Sequence, residues 1–135
     1  MENLIPIFKD INPYYVLIWL FFLHWFGDFR CQTRWMADNK SKNVFALMFH
    51  ILVYGSVLAV GTVLLFPKSN MVHKDPWMAW LVVNMVLHMV TDAITSRITS
   101  RLWEEKNVKG FFDTIGFDQF IHAACLIGTT QVFLT

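Results

Sequence analysis

Each of the four long apolar stretches of this chain holds ionisable side chains in its interior. His24 and Asp28, His88 and Asp92, and Asp118 and His122 stand four residues apart within runs of Leu, Val, Ile, Phe and Trp, and His50 occupies the remaining run. A spacing of four sets both members of a pair on one helix face. Ionisable groups in an otherwise apolar helix are costly unless they meet partners, so the helices must assemble around these side chains.

Of 135 residues, 56 % are hydrophobic and only 16 % are charged, a balance that predicts a membrane protein rather than a soluble domain. A net charge of +1 presents no basic field to nucleic acid, and no Gly-rich phosphate loop is present. Cys31 and Cys125 lack CxxC spacing and predict neither a structural zinc site nor a disulfide. The apolar run from Tyr14 to Phe26 has no basic segment before it and no cleavage motif after it, so it is expected to be retained.

The expected fold is all-α, one domain over 1–135, with four transmembrane helices at about 13–29, 43–66, 76–100 and 114–134 in an antiparallel bundle. Asn12 with Pro13 and Asp75 with Pro76 are helix-start signatures, and Ser41 or Asn43 can cap the second helix. The first helix covers only about 25 Å and is short for a span unless the lead-in Leu4 to Phe8 assists it. Polar segments 30–42 and 101–113 read as loops, and Pro67 to Asn70 ends the second helix. Lys and Arg concentrate on the first and third loops, so both termini are expected to face outward from the cytoplasm.

Counting residues from the cytoplasmic end of each helix sets His24, Asp28, His50, His88, Asp92, Asp118 and His122 in one layer. Imidazole and carboxylate are the donors that zinc, manganese and iron accept, and seven suffice for one or two divalent ions. Gln32, Gln119, Thr91 and Thr95 stand beside these donors and are expected to orient them. Arg30, Arg34, Arg97 and Arg101 satisfy the topology rule and also ring the mouth of the layer, where they can meet an anion. His73, beside Lys74 and Asp75, reads as solvated. Gly55 and Gly61 are candidates for close helix approach, whereas a single HxxxD read alone is most simply a structural ion pair.

The string HWFGDFRCQTRWMADNKSK, His50, HMVTD and FDQFIHAACL together resemble a family of small integral membrane proteins of uncharacterised function from bacteria and their phages. The resemblance covers most of the chain and carries over to His24, Asp28, Gln32, Trp35, Lys40, His50, His88, Asp92, Asp118, Gln119 and His122. It implies a bacterial inner membrane location and supplies no reaction. The residues themselves predict a metal-dependent membrane hydrolase acting on an ester or phosphoester of a lipid headgroup or nucleotide, with Asp28, Asp92 or Asp118 as a general base. The alternatives are a proton or divalent-metal transporter and a non-catalytic membrane interaction module. Membrane lipids, a small anionic substrate and a second copy of the chain are the expected partners.

Overall fold

Asn12 opens the first helix: its side chain accepts from the Tyr14 N–H at 3.0 Å, and Pro13 takes the first helical position, where its missing N–H is not needed. The computed structural model describes residues 12–65 and 75–133. The lead-in Leu4 to Phe8, the helix end expected at Pro67 to Asn70 and His73 lie outside the described residues. α1 (Pro13–Trp25) passes directly into a π-helical turn, Phe26–Arg30, closed by the Cys31 N–H on the Phe26 carbonyl at 2.9 Å. Within this wide turn the Asp28 carbonyl accepts from Gln32 Nε2 at 3.0 Å. Single π turns commonly sit at functional sites, and this one carries Asp28.

The segment expected to be a loop after the first helix contains α2 (Arg34–Asn39). Thr33 caps it by accepting from the Met36 N–H at 3.3 Å, and Met36 is its single buried anchor, too little apolar pattern to register as a period. α3 (Val44–Leu65) starts at Asn43, whose Oδ1 accepts from the Phe45 N–H at 2.8 Å. Ser41, the other candidate cap, instead accepts from Ser100 Oγ at 3.0 Å.

α4 (Asp75–Glu104) and α5 (Val108–Phe133) both intrude into the expected loop 101–113. Lys106 adopts a left-handed conformation with φ 57°, which lets its N–H reach the Trp103 carbonyl at 3.0 Å and the Asn107 N–H reach Leu102 at 2.9 Å. This double bond ends α4 as a Schellman motif. Asn107 then caps α5 through the Gly110 N–H at 2.9 Å. Charged residues that read as a loop therefore lie around one tight helix–helix turn.

Among the described residues the chain is all-helical, without strands. Val44–Leu64 and Pro76–Glu104 are long and apolar enough to cross a membrane. α3 and α5 both pack along α4, α1 packs along α3 and also touches α5, and α2 lies against α3. Gly55 faces Met85 and Gly61 faces Leu23 so closely that a Cβ would run into those side chains. One half of the interior is apolar, built from Leu20, Leu23, Leu58, Trp77, Trp80 and Leu126. Its indole N–H groups are satisfied internally, Trp77 by Thr62 and Trp80 by Thr130, each at 3.2 Å. The other half is polar.

Candidate metal centre

His24, Asp28, His50, His88, Asp92, Asp118 and His122 are all buried, none more than 8 % exposed. The end of α1 and its π turn supply the first two, α3 supplies His50, and α4 and α5 supply two each. The i,i+4 pairs turn one face of each helix inward, and antiparallel packing brings those faces to one depth.

Four of these residues meet at one point. His50 Nε2 lies 3.1 Å from Asp28 Oδ1, 3.0 Å from Asp92 Oδ2 and 3.2 Å from His88 Nε2. His88 Nε2 lies 3.5 Å from Asp28 Oδ1 and 3.8 Å from Asp92 Oδ2. Zinc bonds of about 2.0–2.2 Å separate neighbouring ligand atoms of a tetrahedral shell by about 3.4 Å. The measured separations bracket that value, so Asp28, His50, His88 and Asp92 form a donor set of the right size for one divalent ion.

Hydrogen bonds alone leave this group incomplete. The Nδ1 atoms of His50 and His88 have no hydrogen-bond partner, and a single Nε2 proton on His50 cannot serve two carboxylates. The His88 ring is held by stacking, between Tyr54 at a centroid distance of 3.9 Å and His122 at 4.1 Å. Lys40, at the end of α2, donates to Asp92 Oδ2 at 2.7 Å. With neutral imidazoles, the three buried carboxylates and the one ammonium leave the layer two negative charges in excess, a large penalty in a low-dielectric interior. One divalent cation neutralises it.

His24 and Gln119 form the neighbouring network. His24 Nδ1 accepts from the Tyr54 hydroxyl at 3.3 Å, and His24 Nε2–H donates to Gln119 Oε1 at 3.0 Å. Gln119 Nε2 donates to Asp28 Oδ2 at 2.9 Å and to Asp118 Oδ2 at 3.0 Å. The Thr95 hydroxyl donates to Asp118 Oδ1 at 2.6 Å. Both ring nitrogens of His24 thus meet protein groups, and His24 also stands with His88 and His122 in a buried group that could hold an ion. His122 is the opposite case, with neither ring nitrogen hydrogen-bonded.

A cavity of about 170 Å³, lined by Asp28, Gln32, Lys40, Asp92, Asp118 and Gln119 among others, leads from the loop-bearing end of the bundle to these carboxylates. Thr95 belongs to the cavity wall, and Thr91 bonds back to the Leu87 carbonyl. Arg30, Arg34 and Arg97 do not line the cavity. All three are exposed; Arg34 pairs with Asp38 at 3.5 Å, and Arg97 bonds to the Ala93 carbonyl. The cation that does reach the centre is Lys40, which the charge asymmetry of the loops had absorbed. Lys40 stands among the positions that the family resemblance carries over, whereas Tyr54 is a residue that sequence reasoning passed over, although it lies one turn beyond His50 on the same face.

A helical bundle that turns histidines and aspartates inward and Phe, Val, Ile and Leu outward defines the class: an apolar-surfaced helical protein with a buried donor cluster. The chain belongs to the family described as a protein of unknown function, DUF3307, matched over residues 16–135. No curated protein and no solved structure matches it.

Proposed function

We propose that the chain is a four-span protein of the bacterial inner membrane and a metal-dependent hydrolase whose centre opens towards the cytoplasm. The spans beyond α3 and α4 rest on the outward faces of α1 and α5, where Ile18, Phe22, Phe120 and Val132 are exposed, a surface that suits hydrocarbon. The observation that carries the reaction is the set Asp28, His50, His88 and Asp92, spaced as ligands of one ion, with Asp28 and Asp92 on the wall of a cavity. A divalent ion there supplies an activated water and neutralises charge on an ester or phosphoester oxygen. Lys40 holds Asp92 in place and presents the only ammonium along the described cavity wall to an anionic substrate. His24 and Gln119 fix the orientation of Asp28. The apolar half of the bundle closes the other side, which favours a one-sided reaction site over a conduit for ions.

The test is elemental analysis of detergent-purified protein, followed by hydrolysis assays with a chromogenic phosphoester and a phospholipid panel. The expected result is a stoichiometric divalent transition metal, lost in His88→Ala, with hydrolysis that chelation abolishes and the metal restores. A folded chain that holds no metal refutes the reading. Metal flux through liposomes without hydrolysis replaces it with transport.

A further inference from the structure

A second group of donors, Asp28, Asp118 and His122, has ligand atoms within 4.8 Å of one another. His122 is only 3 % exposed, yet neither of its ring nitrogens has a hydrogen-bond partner. Its Nδ1 stands 3.4 Å from Asp118 Oδ2, again about the separation of two ligand atoms on one tetrahedral ion. A buried imidazole with neither nitrogen hydrogen-bonded is suited to take a ligand on one of them.

The Gln119 amide marks where that occupant sits. Its Nε2 is shared by Asp28 Oδ2 and Asp118 Oδ2, so two carboxylate oxygens converge on one position of positive character. The chain from Tyr54 through His24 to Gln119 can satisfy its hydrogen bonds in two directions. With the amide nitrogen facing the carboxylates, Oε1 can only accept, so His24 Nε2–H donates to Gln119 Oε1 and Tyr54 donates to His24 Nδ1. In the reverse direction the amide is turned over, its nitrogen donates to His24 Nε2, and His24 Nδ1–H donates to the Tyr54 oxygen. His24 and Gln119 keep their partners, because imidazole tautomers and amide faces exchange donor for acceptor, and the Tyr54 hydroxyl changes from donor to acceptor towards His24. Only then does Gln119 Oε1 point at the two carboxylates, as a ligand oxygen would.

We propose that Asp118, His122 and the second oxygen of Asp28 hold a second divalent cation, with Gln119 turning its amide oxygen to that ion and His24 changing tautomer as it does so. This rests on the metal-centre reading above and extends it. Asp28 belongs to both donor groups and would be shared by the two ions, and paired ions of this kind supply a clamp for an in-line displacement at phosphorus. Two divalent ions against two excess negative charges leave the layer positive by two. The water activated there carries one negative charge as hydroxide and lowers that excess to one, so an anionic phosphoester complements the layer and a neutral carboxylic ester does not. The substrate class is therefore an anionic phosphoester small enough for its phosphoryl group to enter the cavity.

Calorimetric titration of the chelator-stripped protein in detergent with zinc alone, and then with zinc in the presence of inorganic phosphate, tests this. The expected result is two ions per chain, the second bound at least about tenfold more tightly when phosphate is present. His122→Gln and Asp118→Asn each bind one ion, whereas Gln119→Glu, which places a carboxylate oxygen at the site without an amide flip, binds the second ion at least about tenfold more tightly than the native chain. Two chemically different variants on the second site keep the test valid if one fails to fold, as judged by circular dichroism. A native chain that binds one ion, or a folded His122→Gln protein that still binds two, overturns the second site. Two ions whose affinities ignore phosphate overturn the substrate assignment. A folded native chain that binds no ion overturns the reading beneath both.

Discussion

Lys40→Met isolates the electrostatic problem that the centre has to solve. Asp92 is 2 % exposed and takes the Lys40 ammonium on Oδ2 at 2.7 Å, with His50 Nε2 at 3.0 Å on the same oxygen. Removing one partner of a buried pair costs about 3–5 kcal/mol because the other charge stays behind. Here His50 remains and the Lys40 side chain keeps 15 % exposure, so the expected loss for the metal-free protein falls to about 2–3 kcal/mol after allowing for screening. Methionine retains the aliphatic stem, which confines the change to the charge. A divalent ion at a hundred times its dissociation constant stabilises a folded chain by about 2.7 kcal/mol. In the variant the gain should be larger, since the ion takes over the compensation of Asp92 that Lys40 supplied. Thermal melting in detergent, followed by far-ultraviolet circular dichroism with chelator and then with zinc or manganese, reads both quantities. A metal-free loss below about 0.5 kcal/mol refutes the buried-pair argument. An equal metal gain in the two proteins refutes the claim that the ion and the ammonium act on the same carboxylate.

Thr95→Val keeps the shape of the side chain but removes the donor that Asp118 accepts at 2.6 Å; a loss of about 1.5–3 kcal/mol in unfolding free energy is expected, and a neutral effect would mean that Gln119 alone holds Asp118. Gly27→Ala would bring a Cβ to 3.3 Å from Tyr54 Cδ2 and 3.4 Å from Val57 Cβ, so a loss of about 1–3 kcal/mol should accompany weaker metal binding as Tyr54 shifts against His24 and His88; unchanged metal affinity would separate that helix contact from the centre. Lys106→Gly relieves the left-handed residue of the α4–α5 turn and should raise stability by up to about 1 kcal/mol in the same melts, a result that a lowered melting temperature contradicts.

The helices were legible wherever apolar length coincided with a cap. Asn12 with Pro13, and Asn43, mark starts that the structure uses, and the apolar runs between them leave little choice but helix. α2 was not legible, because six residues with one buried methionine generate no period. The turn at Lys106 was hidden for a different reason: its backbone conformation favours glycine, and a lysine gives no sign of it. Depth counting in an antiparallel bundle expected the seven histidines and aspartates in one layer, and they lie there within hydrogen-bond and ion-pair distances. Their division of labour is another matter. An i,i+4 spacing fixes a face but not which nitrogen meets which neighbour, so His24 and His122 look alike in sequence. They differ only through Gln119 and Tyr54, which come from other helices. Lys40 illustrates the same limit, since a loop lysine satisfies the topology rule whether its ammonium points to water or into the bundle.

Thr129 and Thr130 bear most directly on whether the polar layer belongs to a path across the bundle. With Gln131 they form a polar group in the half of α5 away from the carboxylates. In the structure Thr130 accepts from the Trp80 indole at 3.2 Å, and Thr129 exchanges hydrogen bonds with Asn84 at 2.9 and 3.1 Å. Groups bonded to one another in this way satisfy the demand of a dry interior for paired donors and acceptors, and they offer no ladder to an ion that must shed its water. Between them and the carboxylates stand Leu20, Leu58 and Leu126, each at most 1 % exposed. An ion arriving through the cavity beside Lys40 therefore meets three carboxylates and then a closed apolar wall. The same wall keeps the interior around Asp28 and Asp92 at low dielectric, where charges of opposite sign would interact most strongly.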